Sequence, residues 1–130
     1  MQYIKGIDAF REEKRTAVTL GKFDGLHRGH QKLIEKIRSY AGNDCVSVVC
    51  AFDMQRSCLM TKEERKKLLA GKVDYLIDYP FTGDLMTMEA ERFIQKILYE
   101  KLHAAHIVVG SDFSFGYRKR GDHQMLERYA

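Results

Sequence analysis

The sequence predicts an α/β fold, a doubly wound parallel sheet in a single domain, and three observations predict it. Short runs rich in β-branched residues recur along the chain, helical periodicities fill the stretches between them, and one stretch passes directly from strand to glycine loop to helix. At 130 residues with 45% apolar composition, the chain has material for one hydrophobic core. One proline, Pro80, and the lack of low-complexity segments or repeats leave no internal boundary, so residues 1–130 read as one domain.

Thr16 to Leu20 (TAVTL) is the first predicted strand and runs into Gly21, after which Leu33, Ile34, Ile37 and Tyr40 recur at helical spacing within a helix from Gly29 to Tyr40. Val46 to Phe52 (VSVVCAF) is a short apolar run of the kind buried on both faces in a parallel sheet. Thr61 and Glu64 form a capping-box pattern that opens a helix through Leu69, which Gly71 closes. Val73 to Ile77 then reads as a third strand. From Met88 to Leu102, residues Ala90, Phe93, Ile94, Ile97, Leu98 and Leu102 trace one apolar helical face, and Ile107 to Val109 before Gly110 makes a fourth strand. In a doubly wound sheet, ligands bind at the carboxyl ends of the strands, which directs attention to the loops at Gly21 and Gly110.

Charge narrows the partners. The 22 Lys and Arg against 18 Asp and Glu give a net charge of +4, which suits anionic ligands, while the densest basic cluster, Arg118 to Arg120, is three residues long. That balance is too mild to single out nucleic acid, and small phosphorylated molecules fit it equally well. Cys45, Cys50 and Cys58 form no metal-ligand or disulfide pattern, and the first two read as core residues of a reduced, cytoplasmic protein. The first residues do not form a signal peptide, and no apolar run approaches a membrane span.

In the first loop, Gly21, Gly25 and Gly29 remove side-chain bulk, and the strand-to-helix junction brings backbone amides and a helix dipole that attract phosphate. His27 and His30, three apart, can face one object in the first helical turn, with Lys22 and Arg28 adding positive charge. Imidazole donors there are suited to stabilising charge that develops on a phosphate chain. A pair of histidines that only caps or packs against the helix is the plainer alternative. Zinc fits less well, since zincin histidines stand four apart around a glutamate and no third ligand is evident.

The second loop, Gly110-Ser111-Asp112-Phe113-Ser114-Phe115-Gly116, continues into Tyr117-Arg118-Lys119-Arg120-Gly121-Asp122. Asp112 can accept hydrogen bonds from a ligand and Phe113 or Phe115 can cover a flat ring; equally, both rings can be core and the basic turn solvated surface.

These two loops carry a family resemblance. His27-Arg28-Gly29-His30 matches the HxGH signature of the nucleotidyltransferase superfamily, and GKFDGLHRGHQ with the later GSDFSFG is similar to the FMN adenylyltransferase domain of prokaryotic bifunctional riboflavin kinase/FAD synthetases. Leu59 to Phe81 follows the same pattern, so the resemblance covers nearly the whole chain. It implies a Rossmann-like, HUP-type sheet and transfer of AMP from ATP to FMN, giving FAD and pyrophosphate, with magnesium accompanying ATP and no protein metal site. The carried-over roles make His27 and His30 catalytic, with Gly21, Lys22, Phe23, Asp24 and Gly25 framing ATP. Asp112, Phe113, Phe115 and Gly116 fall on the flavin side, with Arg118 a candidate for phosphate contact.

Two departures accompany it. The family's Phe-Asp-Pro-His-Pro is here Phe52-Asp53-Met54-Gln55-Arg56, and neither the Ser-Ser-Thr-x-Ile-Arg phosphate-binding element nor a riboflavin kinase domain lies within these 130 residues. The resemblance therefore implies a domain lacking its C-terminal part, prone to self-association where the sheet is left uncovered. Two further readings stand beside it: another HxGH nucleotidyltransferase, and a nucleotide- or flavin-binding remnant with weak or no turnover.

Overall fold

Strict alternation of side chains along three buried strands builds the molecule. The structure, a computed structural model, describes residues 1–21, 28–42, 44–53, 62–80, 88–110, 114–115 and 121–128. Among them, β1 (Gln2–Lys5), β2 (Arg15–Gly21), β3 (Cys45–Asp53), β4 (Tyr75–Pro80) and β5 (Ala104–Val108) form one sheet in the order β1-β4-β3-β2-β5, every pairing parallel. The helices are α1 (Arg28–Tyr40), α2 (Lys62–Leu69), α3 (Ala90–Phe93) and α4 (His123–Arg128). A π-helical stretch, Ile94–Lys101, continues α3, and a 3₁₀ turn, Ile7–Ala9, follows β1. A two-stranded antiparallel hairpin, β6 (Ser114–Phe115) and β7 (Gly121–Asp122), lies outside the main sheet.

Because a strand points successive side chains to opposite faces, β2 and β3 serve two cores at once. Val18, Leu20, Val46, Val48, Cys50, Phe52 and Ile77 face one way and are covered by Phe10, α3, the π-helical stretch and α4. Ala17, Val49, Ala51 and Leu76 face the other way, under Ile34 and Ile37 of α1 and Leu69 of α2. The predicted doubly wound sheet is the observed one. The apolar face read from Ala90 to Leu102 is likewise buried at each of its six positions.

The boundaries differ in ways that packing explains. Predicted strand Val73–Ile77 is observed as Tyr75–Pro80, because Asp74 is used as a clasp: its Oδ2 accepts from the Ser47 amide at 2.9 Å, and its own amide donates to Ser47 Oγ at 2.9 Å. The fourth predicted strand starts three residues earlier, at Ala104, drawn in by pairing with Thr16. β1, which the sequence reading does not include, is a short, half-exposed edge strand held by its ladder with β4 and by Tyr3, whose hydroxyl donates to Asp78 Oδ2 at 2.6 Å. Such a strand owes its existence to a partner rather than to its own periodicity. The capping residue Thr61 lies outside the described residues, whereas Gly71, at φ 76°, closes α2 as expected.

Two local features set the ends of elements. The π-helical stretch stops at His103, a non-glycine residue at φ 51°, whose amide donates to Tyr99 O at 3.2 Å and whose carbonyl accepts from the Thr16 amide at 3.1 Å. In the segment leading to β2, Tyr75 Oη donates to Glu12 Oε2 at 2.6 Å, and the Tyr75 ring meets Phe10 edge-on at 5.1 Å. The phenol hydrogen bond holds the Glu12 carboxyl below its ordinary value of 4.5 and pushes Tyr75 up to about 12, two views of one contact. Beyond the outer edge of β5, an open groove of about 1320 Å³ runs between Tyr40, Tyr99 and Leu126.

Two outcomes are expected. His103→Gly removes the left-handed strain and should raise stability by about 0.5–1 kcal/mol in urea unfolding. Tyr75→Phe should cost about 1 kcal/mol at neutral pH. A carboxylate with a depressed folded pKa stabilises above its unfolded value and loses that contribution as pH falls through the folded one. The stability gap between parent and Tyr75→Phe should therefore narrow as unfolding is followed from pH 7 to below 4.5.

Candidate functional site

The path of the chain through the sheet defines where a ligand can sit. From β2 the chain moves outward to β3 and β4, with α1 and α2 on one face. It then returns across the opposite face through α3 and the π-helical stretch and lays β5 on the far side of β2. The direction of winding reverses between β2 and β5. At such a switch point the loops leaving two neighbouring strands diverge to opposite faces and open a crevice at the carboxyl ends.

Register sets the starts of the two glycine-containing segments, Gly21 and Gly110, side by side at that switch point. Thr19 is paired with Val108, so Gly21 and Gly110, each two residues further on, leave the sheet from neighbouring strands, which lie about 5 Å apart. Gly21 is the last residue of β2, in register with Ala51 of β3, and is half-buried. α1 begins at Arg28, with the backbone of His30 in its first turn. There the first amides of the helix lack intrahelical acceptors and carry the positive end of its dipole.

Of the other residues singled out from the sequence, Phe115 ends β6, its backbone paired with Gly121. Lys22, Phe23, Asp24, Gly25 and His27 of the first loop, and Asp112, Phe113, Gly116 and Arg118 of the second, lie outside the described residues. So do Met54, Gln55 and Arg56 after β3, whereas Asp53 closes β3 in register with Pro80. The frame of the crevice is thus described by strand ends and a helix start.

Among the described residues both cysteine thiols are displaced upward. Cys50 is fully buried beneath the sheet, and burial, aided by the Asp78 carboxylate, pushes its thiol up to about 12, which makes it an inert packing residue. Cys45 is half-buried and shifted upward for the same first reason, with Asp74 adding to it. Among the described residues no group of three His, Cys, Asp or Glu is placed to hold a metal ion, and no helix is long and apolar enough to cross a membrane.

One residue that the sequence reading passes over stands beside the crevice. Thr19 is wholly buried, and its Oγ1 has no hydrogen-bond partner among the described residues. Threonine is a common strand residue, so its type alone carries little signal; its place two residues before the loop is the only clue in the sequence.

Comparison with known proteins follows the same lines. The chain is 31% identical over 140 residues to the bifunctional riboflavin kinase/FMN adenylyltransferase of Buchnera aphidicola subsp. Schizaphis graminum, covering 98% of this chain and 45% of that protein. The corresponding proteins of Pseudomonas fluorescens and Escherichia coli K12 are 34% and 28% identical, again over 98% of this chain and 45% of theirs. The chain thus spans less than half the length of these curated relatives. A solved Streptococcus pneumoniae structure, described as a macrolide-efflux protein, superposes with a TM-score of 0.83 at 25% identity, over 99% of this chain and 48% of that one. Residues 9–130 match the family model for FAD synthetase, and on that match the chain belongs to the FAD synthetase family.

Proposed function

We propose that this domain is an FMN adenylyltransferase. A phosphate oxygen of FMN attacks the α-phosphorus of ATP, the bond from that phosphorus to the oxygen bridging to the β-phosphate breaks, and FAD and pyrophosphate leave. The observation that supports this reading is the pairing of Thr19 with Val108, by which Gly21 and Gly110 leave neighbouring strands at a switch point in a chain of this family.

Each loop then has a part. Gly21, Lys22, Phe23, Asp24 and Gly25 frame ATP, whose phosphates lie over the first turn of α1. His27 and His30 donate to phosphate oxygens as negative charge builds during transfer, an electrostatic role that asks for no protein nucleophile. Asp112, Phe113, Phe115 and Gly116 hold the flavin side and Arg118 meets phosphate. Magnesium belongs to the substrate, entering with ATP to neutralise its phosphates.

We place the protein in the cytoplasm with ATP and FMN as its ligands and neither nucleic acid nor membrane among its partners, in keeping with a mild net charge of +4. Residues 1–130 act in this reading as one nucleotidyltransferase unit. Self-association is part of the reading, with the open edge of β5 as the surface involved.

The purified chain mixed with ATP, magnesium and FMN should form FAD, followed by chromatography. Saturable binding of ATP and FMN with no FAD, under conditions where the Pseudomonas fluorescens relative makes product, would replace the transferase with a binding module. His27→Ala and His30→Ala should each lower the rate by two to four orders of magnitude, about 3–5 kcal/mol of transition-state stabilisation, with unchanged thermal melting. Near-parental rates in both variants would remove the histidines from the chemistry. Asp112→Ala should weaken FMN binding more than ATP binding in fluorescence titrations; an equal loss would move Asp112 to the nucleotide.

A further inference from the structure

Two threonines on β2 make opposite use of their hydroxyls. Thr16, at the start of the strand, is buried and donates from Oγ1 to Leu102 O at 2.8 Å, tying β2 to the end of the π-helical stretch. Thr19 is as deeply buried, on the opposite face, yet its Oγ1 has no partner among the described residues. Its neighbours across the sheet, Val49 and Val108, offer no polar side chain. A hydroxyl withdrawn from water without a partner costs about 1–3 kcal/mol, so valine, of nearly the same shape, would serve the resting fold better.

Position tells what the hydroxyl faces. Ala17, on the same face of β2, packs in one cluster with Ile34 and Ile37 of α1. Two residues toward the carboxyl end of the strand is about 7 Å. At 1.5 Å per helical residue, that distance carries the contact back by about four to five residues along α1, which from Ile34 reaches its first turn and from Ile37 the start of the second. Thr19 therefore lies beneath the turn that contains the backbone of His30, where the helix has amides with no acceptor of their own.

We propose that Thr19 is a positioning residue for ATP, its buried hydroxyl accepting a sheet-side amide of the first turn of α1 when the phosphates occupy the outward-facing ones. This rests on the adenylyltransferase reading above. The hydroxyl touches neither substrate nor the reacting atoms; it acts by fixing the tilt of the turn against the sheet, so that the amides meeting the phosphate chain are already aimed. Among the described residues the group is without a partner, and the bond formed on nucleotide binding relieves that cost.

The test compares Thr19→Val and Thr19→Ser with the parent chain in three measurements: thermal melting without ligand, ATP affinity in the presence of magnesium, and FMN affinity. Thr19→Val should melt at or above the parental temperature, bind ATP roughly five- to tenfold more weakly, and bind FMN as the parent does. Thr19→Ser, which keeps the hydroxyl, should hold ATP affinity within about twofold of the parent. A Thr19→Val chain that binds ATP like the parent overturns the proposal, as does one that loses ATP and FMN affinity equally. Should that variant not fold, Thr19→Ala is read by the same criteria. A parent chain that binds no ATP overturns the adenylyltransferase reading and this one together, an outcome distinct from parental binding that the valine leaves untouched.

Discussion

A parallel sheet needs cover on both faces, because each crossover between neighbouring strands lays a helix against it and leaves little room for water. Here that constraint falls most heavily on β3, the middle of the five strands, whose residues from Val46 to Phe52 are all buried. Its even positions support one core and its odd positions the other, so neither layer of helices can be lost without exposing the same strand. Deleting side chains such as Ile37 or Leu98, both nearly inaccessible to solvent, removes about 2–5 kcal/mol each by the usual cost of a core cavity.

The need to cover both faces also creates the crevice. Having covered one face with α1 and α2, the chain has to cross to the other, and it does so between β4 and β5. That crossing places β5 beside β2, so that Gly21 and Gly110 leave the sheet from neighbouring strands. Groups distant by nearly ninety residues in sequence meet because of a packing requirement. The chemistry assigned to them needs little from the rest of the fold besides this meeting and a rigid helix start.

How much could be read without coordinates follows from the type of signal each element carries. Buried strands and helices with one apolar face announce themselves by periodicity, which is why the runs from Thr16, Val46 and Ala90 were legible with their core residues. β1 was not, because two half-buried residues between exposed ends have no pattern of their own and depend on Asp78 and Tyr3 to be held. The start of β4 was misplaced because Asp74 looks like a strand residue by position but serves as a clasp on Ser47. At the candidate site, glycine spacing and paired histidines mark the loops by residue type, since backbone clearance and charge leave such marks, while Lys22 to His27 and Ser111 to Phe113 lie outside the described residues. The buried hydroxyl of Thr19 leaves no such mark beyond its place two residues before the first loop, and its lack of a partner among the described residues is seen only in the structure.

The pairing of β2 with β5 has a consequence for how the domain is made. Thr16 bonds to Leu102 across 86 positions, and β2 reaches its second neighbour only when β5 exists. A ribosome releases β1, β2, α1 and β3 before β5, and the last three of these four can associate at once through nearby contacts. The crevice, however, stays half-walled until the last third of the domain has emerged. Contacts so distant in sequence form slowly, because the loop they close must be ordered before they repay it. During synthesis, then, the flank of β2 that later faces β5 is open to any strand in its vicinity, and this is the interval in which chaperone protection matters most for this chain.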